Sequence, residues 1–465
     1  MKDLFILKSP LLKYVNMRKL TLLALIILVI FSNCKTEKKP NVESSEKIIQ
    51  VEVNIIISVF IDSIQSYTLY LPESYRSNKK LPIIFFFDPH ADGKLPVNLY
   101  SELANKYNFI FVGSNNVKNG LQPNEYDQLM NNLIHHVSSN VSFNQQEIVL
   151  CGFSGGARVA GAYAQKNQFV HAVISCSASI IGNQAGIHSF PFHYMGIVGY
   201  EDFNFIEMCN EFERLQNNKL IRYLGEHNWP EPEVMEEAFL MLNVLQANSN
   251  QRVIMEALNF YETKLAHENQ NIYDRFLLLK RANEVVQKYE PKNQFAEELK
   301  RISKAPQLEE YITYVNNLKG VELDKRQKYA LAFQGEDLNW WKREMKIIDE
   351  HIGFSEFGED KLMYLRLKNY FGMLGYFFTN RSLQMGEKEQ MWSYLQKYEI
   401  VDPENPDVYY YKAIYYLLNN DDANALSAIK KSLTLGFKDI EKFRLENYFQ
   451  QLQNNAEFKE MLDKY

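Results

Sequence analysis

A chain of 465 residues with 46% hydrophobic content is globular and too long for one small core, so it calls for two or three units. Its net charge of −6 is mild, and the absence of a basic patch or Arg-rich stripe argues against nucleic acid as a partner. No CxxC pair or HExxH stretch occurs, and His135 and His136 are adjacent without metal-ligand spacing, which disfavours a metal enzyme.

The first feature in chain order is the apolar run from Leu20 to Phe31, preceded by Arg18 and Lys19 and followed by Ser32, Asn33 and Cys34. It is too short to span a bilayer comfortably, but its length suits a secretory signal core. Phe31-Ser32-Asn33-Cys34 resembles a relaxed lipobox of bacterial lipoproteins. That resemblance implies a signal peptide over 1–34, lipidation of Cys34, and attachment in the cell envelope at the outer membrane or cell surface. Met17 is the better start, because it leaves a compact positive segment ahead of the apolar run. A plain signal peptide or an uncleaved anchor is the alternative. Residues 35–48 form a polar tether without apolar periodicity.

Residues 49–245 alternate strand and helix patterns. Val51 to Phe60 and Gln65 to Leu71 read as an opening hairpin. Pro82 to Phe87 is a continuous apolar run, as a strand buried on both faces requires. Helices are predicted over Val97–Lys106, Asn124–Val137, the stretch after Ser154, Phe205–Asn217 and from Glu231. Strands are predicted at Phe109–Val112, Glu147–Cys151, His171–Ser177, His193–Val198 and Leu220–Leu224. Such alternation predicts a mostly parallel sheet covered by helices. Cys151 and Cys176 fall in central strands, where a free thiol behaves as a small hydrophobe, and with Cys209 they cannot form an even disulfide framework.

The linker Gln246–Gln251 marks a boundary, beyond which only helical periodicity remains. In 246–465, Leu374-Gly375 with Phe378 recurs as Ala413 with Tyr416, an offset of 38 residues, and the second copy continues through Ala425 and Ser432 to Gly436. Small residues beside an aromatic at this spacing resemble tetratricopeptide (TPR) repeats, with an irregular helical bundle as the alternative. A TPR-like region implies a peptide or protein partner.

The chemistry centres on Gly152-Phe153-Ser154-Gly155-Gly156, a G-x-S-x-G between a predicted strand and a predicted helix. Such a turn lifts the serine hydroxyl over the helix N-terminus and points the Gly155 amide at a developing oxyanion. Ser154 as a mere helix N-cap and the glycines as a phosphate cradle are the competing readings. A base and an acid follow in the required order: Asp202 after the strand His193–Val198, and His227 after Leu220–Leu224. Glu201 is the fallback acid. His193 is a poor fallback base, because it starts its strand.

The loop Asp88-Pro89-His90-Ala91-Asp92-Gly93, the G-x-S-x-G and the turn Gly225-Glu226-His227-Asn228-Trp229-Pro230 together resemble α/β-hydrolase esterases related to feruloyl esterases and polyhydroxybutyrate depolymerases. The resemblance covers about residues 65–245. It implies a Ser154–His227–Asp202 triad, acyl transfer on a small or polymeric ester, and no cofactor. It also implies an oxyanion hole of Gly155 with a second amide from Ala91 or Asp92, although the family usually has glycine where this chain has Ala91. The stretch Ile180–Pro191 is too short for a lid, so the cleft is open or roofed by the helical region. Tyr409-Tyr410-Tyr411 and Trp340-Trp341 either face the cleft or pack the repeat core. A serine peptidase of the same fold and a catalytically silent binding lipoprotein are the alternatives to an esterase.

Overall fold

The computed structural model describes residues 53–180, 188–216, 218–246, 250–267, 271–355 and 358–464. The predicted signal peptide, Cys34 and the polar tether lie outside the described residues, as do 181–187 of the short loop and 247–249 of the linker.

Eight strands form one sheet in the order β1-β2-β4-β3-β5-β6-β7-β8. They are β1 (Ile56–Phe60), β2 (Ser66–Tyr70), β3 (Leu81–Phe87), β4 (Ile110–Ser114), β5 (Phe143–Phe153), β6 (Val170–Cys176), β7 (His193–Gly199) and β8 (Asn218–Tyr223). β1 and β2 pair antiparallel with each other and β2 antiparallel with β4, whereas β4 through β8 run parallel. All seven residues of β3 are buried, because helices cover both sheet faces. Phe87 pairs with Gly152, Phe153 with Cys176, and Gly199 with Tyr223, so the carboxyl ends of β3, β5, β7 and β8 finish near one level. The loops that follow them emerge side by side at one edge. That edge is where a parallel sheet places its chemistry.

The helices of the sheet half are α1 (Lys94–Leu99), α2 (Ser101–Tyr107), α3 (Pro123–Asn140), α4 (Gly155–Lys166), α5 (Phe205–Arg214) and α6 (Pro232–Leu245). One helix was expected where α1 and α2 lie. The chain breaks at Tyr100, whose ring is buried against Phe86 and Trp229 while its hydroxyl donates to the Pro230 carbonyl at 2.6 Å. Helix α3 opens on a capping box between Gln122 and Glu125 with Pro123 in its first turn. Cys151, Cys176 and Cys209 are free and buried.

A large helical region follows: α7 (Gln251–His267), α8 (Ile272–Val286), α9 (Gln294–Ile302), α10 (Pro306–Gly335), α11 (Leu338–Phe354), α12 (Glu359–Met385), α13 (Lys388–Val401), α14 (Pro406–Leu417), α15 (Asp422–Thr434), α16 (Ile440–Leu445), a 3₁₀ turn and α17 (Ala456–Lys464). The composition change at 246 does not coincide with a break in the core. Ile254, Ala257, Tyr261, Leu278, Leu279, Ala282 and Phe295 of α7–α9 pack into the same apolar cluster as β5, β6 and α6. A second cluster begins at Tyr329 and runs to Leu462.

Within that second cluster, α12–α13 and α14–α15 form two successive helix hairpins. Gly375 lies where α12 meets α13: a Cβ there would stand 2.3 Å from the Tyr398 ring. Ala413, Ala425 and Ser432 are fully buried at the α14–α15 crossing, and Gly436 ends α15 at φ +91°. The aromatic segments are core. Trp341 packs on Phe333 and Phe371, and Tyr410 on Phe437 and Phe443. Among the described residues no helix is long and apolar enough to cross a membrane.

Candidate active site

Ser154 sits between β5 and α4 with φ +51° and ψ −119°, a conformation that an L-residue adopts only when its surroundings enforce it. Its amide donates to the Cys176 carbonyl at 2.9 Å, which anchors the turn to the neighbouring strand. The glycines around it are required by contact. A Cβ on Gly152 would stand 2.4 Å from the Gly156 carbonyl carbon, and one on Gly156 would stand 2.0 Å from the Phe87 carbonyl oxygen. The turn therefore nests against the end of β3 with no room for a side chain.

Ser154 occupies the N-cap position of α4, yet its side chain caps nothing. The hydroxyl instead lies 3.0 Å from His227 Nε2. His227 Nδ1 lies 2.9 and 3.0 Å from the two carboxylate oxygens of Asp202, which has no solvent exposure. Asp202 is held in turn by the Asn204 amide, which donates to its Oδ1 at 2.7 Å. Residues from the ends of three strands thus meet in one hydrogen-bonded line, in the order a nucleophile, its base and an orienting acid need.

His227 packs against two aromatic rings, Phe203 at 4.1 Å and Phe153 at 4.9 Å between centroids. These contacts accompany the bonds that turn Nδ1 to Asp202 and Nε2 to Ser154. The fallback residues lie elsewhere. Glu201 makes no bond to His227, and burial with the neighbouring Glu226 raises its carboxyl above the usual range, against the pull of Lys361. His193 begins β7 at the opposite sheet edge, ring against ring with His171 at 5.2 Å.

The two segments expected to supply oxyanion donors are the start of α4 and the loop after β3. Gly155 is the first residue of α4, where helix amides have no intrahelical acceptor. The Ala91 amide donates to the Asp88 carbonyl at 3.1 Å, and the His90 amide to Asp88 Oδ1 at 2.8 Å. In this conformation the Ala91 amide is engaged within its own turn. The Asp92 amide, by contrast, has no acceptor among the described residues. Ala91 has φ +63°, which explains why glycine is the easier choice at that position and costs an alanine about 1 kcal/mol.

Two features of the site went unread in the sequence. Asp88 Oδ2 accepts from Trp229 Nε1 at 2.8 Å, so the loop after β3 is bonded to the turn that carries His227. The Asn119 amide donates to the Pro89 carbonyl at 2.9 Å, and the Asn119 carboxamide lies directly over Gly155. A tryptophan two residues after the histidine is the one sequence sign of the first feature. The helical region also approaches this edge. Asp407 near the start of α14 is raised by burial, an effect countered by Lys442 and by His90 of the β3 loop.

No family model and no curated protein matches the chain. By structure it is similar to a ferulic acid esterase from Anaeromyces mucronatus solved in complex with ferulic acid, at 16% identity over 41% of this chain and 90% of that one, with TM-score 0.32. It is similar to a hyperthermophilic esterase from Pyrobaculum calidifontis at 10% identity over 43% of this chain and 88% of that one, with TM-score 0.33. A dienelactone hydrolase from Anabaena variabilis shares 17% identity over 41% of this chain and 94% of that one, with TM-score 0.30.

Proposed function

We propose that the chain is a serine hydrolase of the α/β-hydrolase type that cleaves carboxylic esters through an acyl-enzyme. The observation that carries this reading is the continuous hydrogen-bonded line Ser154–His227–Asp202 at a strained strand-to-helix turn. Its mechanism follows from that line. His227 Nε2 accepts the Ser154 proton as the hydroxyl oxygen attacks the substrate carbonyl carbon, while Asp202 holds Nδ1 protonated and stabilises the imidazolium. The tetrahedral oxyanion is met by the Gly155 amide at the N-terminus of α4, with the Asp92 amide as second donor. His227 then returns its proton to the departing alkoxide. Water, deprotonated by the same imidazole, attacks the acyl carbon, and the resulting intermediate collapses to the acid as the acyl–Oγ bond breaks and His227 returns the proton to the Ser154 oxygen.

A fluorophosphonate probe tests this. The full chain is expected to be labelled, the Ser154→Ala chain is not, and an ester-against-peptide panel with the wild type is expected to turn over esters. A folded wild type that resists the probe would sink the reading, and turnover of peptides alone would favour a peptidase of the same fold. A catalytically silent binding protein is disfavoured because all three side chains are present and bonded.

The α12–α15 hairpins, with small residues at their crossings, support a TPR-like reading of the distal helices and a peptide or protein partner there. The lipobox-like Phe31-Ser32-Asn33-Cys34 supports attachment to a bacterial envelope membrane through Cys34. Cells fed a clickable palmitate analogue are expected to label the wild-type chain and not Cys34→Ser. Equal labelling of both would remove the anchor.

A further inference from the structure

The loop that carries Asp202 is held from two directions. On its amide side, the Tyr200 amide donates to the Tyr223 carbonyl at 2.8 Å, that of Glu201 to Gly225 at 3.0 Å, and that of Asp202 to Gly199 at 3.2 Å. These bonds belong to β8, the His227 turn and the end of β7. On the carbonyl side every donor but one comes from the helical region. Arg366 Nη1 donates to the Tyr200 carbonyl at 2.8 Å, Asn369 Nδ2 to that of Glu201 at 2.8 Å, and Arg326 Nη1 to that of Phe203 at 2.6 Å. The Asp202 carbonyl accepts from Phe205 within the loop at 2.9 Å.

The two arginines are themselves fixed by one carboxylate. Glu322 on α10 has no solvent exposure, and Arg366 on α12 is 2% exposed. Glu322 Oε1 accepts from Arg326 Nη2 at 2.6 Å, and Oε2 accepts from Arg366 Nε at 2.9 Å with Nη2 at 2.8 Å. Each guanidinium thus spends one edge on Glu322 and its remaining Nη on a loop carbonyl. A lysine has no such fork. Burying three charges is costly unless all are paired, so an arrangement this complete restricts the groups to one geometry. Aromatic faces close the set: Arg366 lies over Phe205 at 4.8 Å and Arg326 over Tyr370 at 5.0 Å.

We propose that Glu322, Arg326, Arg366 and Asn369 of the helical region are positioning residues for the catalytic acid, so that the helical region forms the acid-side wall of the active site. The inference rests on the acyl-transfer reading. Without these donors the carbonyls of residues 200, 201 and 203 would turn to water. Asp202 would keep its amide-side bonds but lose the frame that aims it at His227 Nδ1.

The test uses the full chain with Arg366→Met, Arg366→Lys, Glu322→Gln and the milder Asn369→Ala. Glu237→Gln serves as a control, because Glu237 is equally buried but bonded to Arg281 and Lys264, away from the acid loop. Two readouts are taken: kcat and KM on a chromogenic ester, and the low-field proton resonance of the His227 Nδ1–H bonded to Asp202. Arg366→Met and Glu322→Gln are expected to lower kcat about 10- to 100-fold with little change in KM, the scale of a reacting group displaced by about 1 Å. Arg366→Lys is expected not to rescue, Asn369→Ala to act more weakly in the same direction, and the resonance to fade in parallel. Glu237→Gln is expected to lose stability while keeping both kcat and resonance. Folded Arg366→Met and Glu322→Gln chains with wild-type kcat and resonance would overturn the proposal. If those chains do not fold, unchanged kcat and resonance in Asn369→Ala would overturn it. A wild type that hydrolyses no ester would remove the acyl-transfer reading, and the resonance alone would then carry or sink the positioning role.

Discussion

Asp202→Asn is expected to lower kcat by about four orders of magnitude, the loss a triad suffers when its acid becomes an amide. The carboxamide can still accept from the Asn204 amide, so the loop keeps its shape. What it cannot do is accept from His227 Nδ1 through both oxygens, as Asp202 does at 2.9 and 3.0 Å. An amide NH₂ facing that nitrogen favours the tautomer with its proton on Nε2, and an Nε2–H cannot take a proton from Ser154. Burial makes the exchange complete, because no water can substitute for an acid with zero exposure. The measurement is steady-state hydrolysis of a chromogenic ester by folded protein, with Glu201→Gln beside it. Glu201→Gln is expected to stay within about threefold, since a carboxylate that touches no reacting group acts only through screened charge. An Asp202→Asn chain within about tenfold of wild type, against the loss expected of a triad acid, would dismiss Asp202 from that role.

Gly156→Ala is expected to have a large structural effect from a single methyl group. Its Cβ would stand 2.0 Å from the Phe87 carbonyl oxygen and 2.7 Å from the carbonyl carbon, both backbone atoms of a central strand. Neither can swing aside as a flexible side chain would, so α4 must lift away from β3. Overpacking of this kind costs about 3 kcal/mol. Lifting the helix by about 1 Å also carries Ser154 and the Gly155 amide away from the loop after β3, a displacement that costs roughly 100-fold in rate. Gly320→Ala is expected to behave oppositely. Gly320 is an exposed mid-helix glycine with open space around its Cβ position, so alanine should stabilise by about 0.5–1 kcal/mol. Denaturant melts of both variants, with the rate of fluorophosphonate labelling, check the pair. A Gly156→Ala chain as stable and as quickly labelled as wild type would contradict the nested turn.

What was legible in the sequence was local. Apolar runs such as Pro82 to Phe87 announce strands because both faces of a central strand are covered, and Ser154, Asp202 and His227 each stand within a few residues of a strand's end. A parallel sheet then brings strand ends to one edge, so chain order alone suggested that the three would meet. Interactions between distant residues left no such trace. Asp88 and Trp229 are 141 positions apart, and the donors to the carbonyls of Tyr200, Glu201 and Phe203 lie 166, 168 and 123 positions away. Neither periodicity nor spacing registers a pairing of that kind. The same holds for the Ala91 amide, since a turn within Asp88–Ala91 decides whether it points outward or back. The break at Tyr100 escaped for a related reason: the residues around it suit a helix, and only the pocket formed by Phe86 and Trp229 bends the chain.

The shared apolar cluster of the sheet and α7–α9 bears on how such a chain could have arisen and how it can be divided. A helical array joined by a free linker can be gained, lost or exchanged at that linker without disturbing its neighbour. Here the linker at 246 runs across a continuous interior, and a cut there would leave Phe239, Leu242 and Val244 on one side and Ile254, Ala257 and Tyr261 on the other facing water. The first cluster reaches Ile302, and the second takes in Leu318 of α10. Three helices therefore share their interior with the sheet. Helices α10 and α12 reach the sheet half through the donors of Arg326, Arg366 and Asn369, with Tyr311 against Tyr273 of α8 and Arg366 over Phe205.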